Sequence, residues 1–176
     1  MRLFIAFGIS REAKDELVKA RKKLAYSRLN YARELHLTLK FLGEVKEEKI
    51  ADIKEKLGKI KFSSFEAYIQ NIGFFPPEGD IRVVWAGIEP KEKIIELQKK
   101  VEDSLKGLFT EDNRFLPHIT LARVKTIENK KFFKDSLANI KLDKVKFRVD
   151  GFRLMKSTLL PSGPVYEILE EYKAEP

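Results

Sequence analysis

The order of apolar patterns along this chain repeats, and the repeat restricts the fold more than any composition figure does. Residues 3–9 read as a buried strand, and Ser10 can cap a helix whose apolar stripe is Ala13, Leu17, Ala20 and Leu24. After a loop around Asn30, residues 35–42 form a strand carrying His36-Leu37-Thr38-Leu39, ended by Gly43. Ile50, Ile53, Leu57 and Ile60 mark a second helix, and residues 65–75 read as a strand closed by Pro76-Pro77 and a turn at Glu78-Gly79-Asp80. The same order then returns. Residues 81–88 form a strand, Ile94, Leu97, Val101, Leu105 and Leu108 a helix, and residues 117–124 a strand carrying His118-Ile119-Thr120-Leu121. Phe132, Phe133, Leu137 and Ile140 suggest another helix, and residues 145–156 another strand. A last strand, 165–172, follows the turn Pro161-Ser162-Gly163-Pro164.

Such a duplication predicts an α+β fold of two lobes related by a pseudo-twofold axis, with antiparallel strands facing each other across a groove. The lobes are expected at about 1–78 and 79–176. No linker rich in Gly, Ser or Pro separates them, so they should fold as one domain.

The chain has only two histidines, and they occupy equivalent places in the repeat. On a strand each His shares a face with its own Thr, while Leu37, Leu39, Ile119 and Leu121 point into the opposite, apolar layer. An imidazole titrates near neutrality, so a pair can act as acid and base together. A phosphodiester is cleaved by taking a proton from the attacking oxygen and giving one to the leaving oxygen, on opposite sides of phosphorus. Two histidines flanking one phosphate meet that need without a metal. Residues i and i+2 lie roughly 6.6–7 Å apart along a strand. Thr38 and Thr120 could therefore hold non-bridging oxygens while the histidines reach bridging ones.

Composition narrows the alternatives. Cysteine is absent, which removes thiol catalysis, zinc knuckles and disulfides, and fits a reducing interior. The net charge of +8 favours a polyanionic partner. The apolar start, residues 1–7, is too short for a signal peptide or a membrane span, so a soluble, cytoplasmic protein is expected. A metallohydrolase built on the histidines with Glu34 or Asp112 has no HxH or HExxH motif behind it. No Gly-x-Ser-x-Gly elbow supports a serine hydrolase. A nucleotide- or RNA-binding module with little turnover is the remaining alternative, although binding alone gives no reason for both imidazoles.

The residues at these positions resemble those of the two-histidine (2H) phosphoesterase superfamily, in particular its RNA 2′,3′-cyclic phosphodiesterase branch, also called 2′-5′ RNA ligase. The likeness runs through Met1-Arg2-Leu3-Phe4-Ile5-Ala6, His36-Leu37-Thr38-Leu39-Lys40-Phe41-Leu42-Gly43 and Val83-Val84-Trp85-Ala86-Gly87. It continues through Pro117-His118-Ile119-Thr120-Leu121-Ala122-Arg123 and Gly163-Pro164-Val165-Tyr166. It implies two antiparallel sheets facing across a central cleft, helices on the outer faces, and the HxTx motifs opposite each other. It also implies hydrolysis of a terminal RNA 2′,3′-cyclic phosphate to a 2′-phosphomonoester without metal or cofactor, with reverse 2′-5′ ligation as a side reaction. His36 would be the acid toward the leaving 3′ oxygen and His118 the base toward water; the repeat itself does not assign these roles. Substrates would be RNA ends, tRNA fragments among them, or small cyclic nucleotides. A monomer without an obligate protein partner is expected.

Further residues join as candidates. Arg123 follows the second motif at the spacing of the resembled family, and a guanidinium suits a phosphate or a stacked base. Alternation alone puts it on the wrong face, so it must follow a bulge or sit at a frayed end. Lys40 shares the face of His36 and Thr38 by alternation; it either adds charge to the cleft or is a solvated strand-end lysine. Phe7 and Tyr166 are candidates for stacking on the terminal base, and Trp85 leans toward a structural role. Arg28, Arg33 and Arg114 precede the histidine strands in expected loops, where substrate contacts are common.

Overall fold

A computed structural model describes residues 1–176. Its strands are β1 (Arg2–Gly8), β2 (Ser27–Tyr31), β3 (His36–Glu44), β4 (Phe65–Phe75), β5 (Val83–Glu89), β6 (His118–Ile127), β7 (Lys146–Val149), β8 (Gly151–Leu160) and β9 (Gly163–Lys173). Its helices are α1 (Arg11–Arg21), α2 (Ile50–Gly58), α3 (Lys91–Ser104) and α4 (Lys130–Ala138). Ser10 caps α1 by accepting from the Ala13 amide at 3.2 Å, and Asn129 caps α4 by accepting from the Phe132 amide at 3.0 Å. The buried stripes Ala13, Leu17, Ala20 on α1 and Ile94, Leu97, Val101 on α3 recur at helical spacing, which lets each helix bury one face.

All strands join one antiparallel sheet in the order β7-β4-β5-β6-β3-β1-β8-β9, with β2 along β6. The two expected sheets are its halves, β7-β4-β5-β6 and β3-β1-β8-β9, joined where Leu37 pairs with Ile119. These are not the two halves of the chain. β4 follows β3 in sequence yet pairs with β5, and β8 pairs with β1, so each repeat lends its third strand to the other. A short connection, residues 76–82, makes β5 the nearest edge available to β4. A boundary near 78/79 therefore falls inside a hydrogen-bonded hairpin, in place of the interlobe divide the repeat suggests.

Two further expectations change. Residues 145–156 are two strands, interrupted at Asp150: β7 lies beside β4 and β8 beside β1, far apart in the sheet order. One intervening residue can join them only because the sheet curls until its ends meet. There the Ala174 amide donates to the Asp150 carbonyl and the Glu175 amide to the Phe62 carbonyl, each at 2.8 Å. Gly151 sits at this crossing, where an added Cβ would come 2.7 Å from the Tyr172 carbonyl oxygen. The stretch around Asn30, expected as loop, is β2; it takes the edge that β6 leaves open from Ala122 to Ile127.

The apolar core is one cluster spanning both halves, from Leu3, Ile5 and Phe7 through Leu37 and Ile119 to Phe152 and Leu154. α1 packs on β6 and α3 on β3 and β5, so each half supports the other's histidine strand. No helix is long and apolar enough to cross a membrane.

Candidate active site

The two motif strands are built to the same register. Gly8 of β1 pairs with His36 and Gly87 of β5 with His118; two residues on, Ala6 pairs with Thr38 and Trp85 with Thr120. Both strands then bulge at the same point. The next pairs are Ile5 with Lys40 and Val84 with Ala122, which leaves Leu39 and Leu121 as extra residues. A bulge resets the alternation of side chains. Lys40 and Ala122 consequently turn inward after Leu39 and Leu121, and all four are buried. Phe41, 70% exposed, and Arg123 return to the face of the histidines.

Leu37 and Ile119, both fully buried, form the pair that joins β3 to β6. One step to either side in an antiparallel pair puts His36 across from Thr120 and Thr38 across from His118. The two histidines then lie on a diagonal, which in such pairs spans roughly 7–8 Å between backbone positions. The two imidazoles occupy one diagonal of a four-residue patch, and the two threonines occupy the other.

Each ring is walled by aromatics, in different ways. His36 stacks on Phe4, with centroids 5.2 Å apart and planes at 28°, and Tyr166 meets it edge-on at 5.4 Å. Burial, with a smaller contribution from Lys14, pulls the His36 pKa down to about 4, and a hydrogen bond to the Glu34 backbone only partly opposes this. His36 is thus neutral at pH 7. Burial, helped by the charge of Glu34, raises the Tyr166 phenol, while Arg123 and Arg2 pull it back. His118 meets Phe75 edge-on at 5.2 Å and Trp85 at 6.5 Å, and its Nδ1 lies 2.7 Å from the Leu116 carbonyl oxygen. A carbonyl only accepts, so the network assigns the proton to Nδ1 and leaves Nε2 for the cleft.

His36, His118, Thr38 and Thr120, all half-buried, thus share one face with Tyr166 close by, and Arg123 joins them through the bulge. Two other expectations fail. Phe7 is 2% exposed and belongs to the core with Leu3 and Ile5; the aromatic beside His36 is Phe4, on the other face of β1. Lys40 is 5% exposed and faces away from the cleft, because the bulge after Thr38 inverts it. Its ammonium donates to Glu102 Oε1 and Oε2 at 2.9 and 2.8 Å and to the Thr110 carbonyl at 2.7 Å. Trp85 lies opposite Thr120 and covers Gly73, where a Cβ would come within 2.4 Å of the indole. Arg33 binds the Ser162 carbonyl, Arg114 is exposed, and Arg28 lies on β2 opposite Thr126. The glycines opposite both histidines have a sequence signal of their own, since Ile5-Ala6-Phe7-Gly8-Ile9 lies over Val84-Trp85-Ala86-Gly87-Ile88 in the repeat. No group of three or more His, Cys, Asp or Glu is placed to hold a metal ion.

A curled α+β sheet that carries two strand-borne imidazoles and two hydroxyls on one face defines a class of protein with the groups for acid-base work on an anion. The chain is 36% identical to the RNA 2′,3′-cyclic phosphodiesterase of Methanocaldococcus jannaschii, over 98% of its own length and 100% of that protein's. It is 34% identical to the protein of the same name from Thermotoga maritima, over 99% and 96%. Among solved structures, a protein from Thermus thermophilus superposes with a TM-score of 0.83 at 33% identity, covering 98% of this chain and 97% of that one. E. coli LigT in complex with 3′-AMP superposes with a TM-score of 0.77 at 26% identity, covering 98% and 97%. The model of the 2′-5′ RNA ligase superfamily matches residues 10–159, and the chain belongs to that superfamily.

Proposed function

We propose that this protein opens RNA 2′,3′-cyclic phosphate ends to 2′-phosphomonoesters through acid-base catalysis by His36 and His118. The observation that carries the reading is the Leu37–Ile119 pairing, which brings both His-x-Thr segments to one face in equivalent register. The names of the relatives, RNA 2′,3′-cyclic phosphodiesterase, agree with it.

In this reading the cyclic phosphate sits among the four motif side chains. Water attacks phosphorus opposite O3′, one histidine Nε2 takes the water proton, and the other gives a proton to O3′ as the P–O3′ bond breaks. Thr38 and Thr120 hold the non-bridging oxygens as charge builds on them. Arg123 adds a charge-assisted contact to the phosphate or covers the base. His118, with its tautomer set by the Leu116 carbonyl, offers a bare Nε2 and suits the base. His36 as acid needs a proton it lacks in the free protein, since its pKa lies at about 4. The anionic phosphate supplies the reason to take one up, because a nearby opposite charge favours the charged imidazole. Substrate binding and protonation of His36 are therefore coupled. With a 5′ hydroxyl in place of the water, the same groups join a cyclic end to a second RNA, giving a 2′-5′ linkage. The site works as a monomer, in the reducing cytoplasm, on tRNA fragments or small cyclic nucleotides.

The test is product analysis after incubation with an oligonucleotide ending in a 2′,3′-cyclic phosphate. A 2′-phosphate end supports the reading. A 3′-phosphate end reverses the orientation of the substrate, and tight binding without turnover makes the protein a binding module.

A further inference from the structure

Two regions of the surface differ in how their cations are held. On the β8–β9 side Lys156 pairs with Glu167, Arg153 and Lys173 with Glu171, and Lys54 with Glu170. Along the second half of β6 this pattern stops. Arg123 stands at the cleft, and Lys125 follows it on the same strand, exposed. Arg28 lies on one flank, opposite Thr126 on β2. Arg82 lies on the other flank, where its carbonyl accepts from the Val124 amide at 2.9 Å. The Lys130 ammonium, on the first residue of α4, donates to the Gly79 carbonyl at 2.7 Å. Arg82, Lys125 and Lys130 border a hollow of about 430 Å³ whose single bordering carboxylate is Asp80.

At the far end stand two exposed aromatics. Tyr26, 50% exposed, and Phe132, 46% exposed, tilt together with centroids 5.0 Å apart. The Tyr26 carbonyl accepts from the Glu128 amide at 2.8 Å, one residue past the end of β6, which fixes the pair at the end of the row. From Thr120 to Ile127 the strand covers about 23 Å. A cationic row that starts beside the motif side chains and ends on accessible rings is how proteins hold a single strand without reading its sequence.

We infer that the 5′-ward body of an RNA substrate leaves the cleft along the second half of β6, its phosphates on Arg28, Arg82 and Lys125 and a base at Tyr26 and Phe132. This rests on the proposed function, since it assumes a terminal phosphate in the cleft. The β8–β9 side, with its lysines and arginines held by glutamates, is excluded as the path. The partner is single-stranded RNA several nucleotides long, not a duplex, because the row is one strand wide with β2 and residue 82 as its banks. Specificity follows: longer ends are better substrates than cyclic mononucleotides, and more so at low salt.

The experiment uses R28Q/R82Q/K125Q, a variant whose changes lie outside the cleft, beside the unaltered protein. Substrates are 2′,3′-cyclic AMP and a decanucleotide with a 2′,3′-cyclic phosphate end. The variant should lose roughly tenfold or more in kcat/KM on the decanucleotide, through KM, with the cyclic mononucleotide unaffected. The slope of log(kcat/KM) against log[salt] on the decanucleotide should shrink by about 2, at about 0.7 for each phosphate contact removed. Equal losses on both substrates, or no loss on the decanucleotide, overturn the path. Should the unaltered protein turn over neither substrate, the proposed function fails while the path stays testable. Binding of a 2′-phosphorylated decanucleotide would then be weaker in the variant if the path is correct and equal if it is not.

Discussion

His36 and His118 stand on strands with the same register, the same glycine opposite and the same bulge after the threonine, yet their neighbourhoods differ in kind. Around His36 the walls are Phe4 and Tyr166, and Lys40 behind the strand is locked to Glu102. At His118 the position of Lys40 is filled by Ala122 and that of Phe41 by Arg123, and the strand runs on into unpaired cations. The duplicated backbone sets where two groups stand relative to one phosphorus. Both rings have aromatic walls, but the side chains one and two places beyond the bulge give the halves separate tasks: a buried ion pair and Phe41 in one, Ala122 and the exposed Arg123 in the other.

The hardest test of this division replaces each imidazole in turn. His36→Ala and His118→Ala should each slow the chemical step by about 10²–10⁴. Single-turnover rates across pH would show whether each variant loses a different limb; loss of the same limb from both would erase the division of labour. Next comes the buried pair that only one half possesses. Lys40→Met strands the Glu102 carboxylate and should cost about 3–5 kcal/mol in denaturant unfolding, whereas K40M/E102L should recover most of it. Arg123→Ala removes a charge-assisted contact of about 1.5–3 kcal/mol, seen chiefly as a higher KM, and Arg123→Lys should not restore it in full.

A smaller effect probes the dry wall itself. Tyr166→Ala lets water reach His36, and NMR titration should find its pKa moved up from about 4 toward the ordinary value. The same depressed pKa makes stability depend on pH. Between about pH 6.5 and pH 4 the unfolded chain takes a proton that native His36 refuses, so stability is complete above this window and falls as pH drops through it. His36→Gln should flatten that part of the curve, and an unchanged slope would show that the imidazole is not held neutral.

The motifs, the helices and most strands could be read from periodicity, because those features are local. The site's surroundings depended on two things that periodicity does not carry. A bulge is decided by the partner strand, so alternation counted through Leu39 places Lys40 in the cleft, whereas the structure has it facing the core side. Residues 3–7 are apolar without a break, so nothing in them separated Phe4, which faces His36, from Phe7, which faces the core. The exchange of β4 and β8 was invisible for a related reason. The two repeats look alike, and a strand's choice between its own repeat and the other is made by connection length and packing.

That exchange has a consequence for how such a molecule can be taken apart. A cut within residues 76–82 yields two fragments, each holding one histidine and each missing a strand its own sheet requires. Neither piece is a miniature of the whole, and each is the scaffold on which the other completes itself. The spacing between the two reactive rings is therefore held by an interlocked backbone, with no hinge to loosen it.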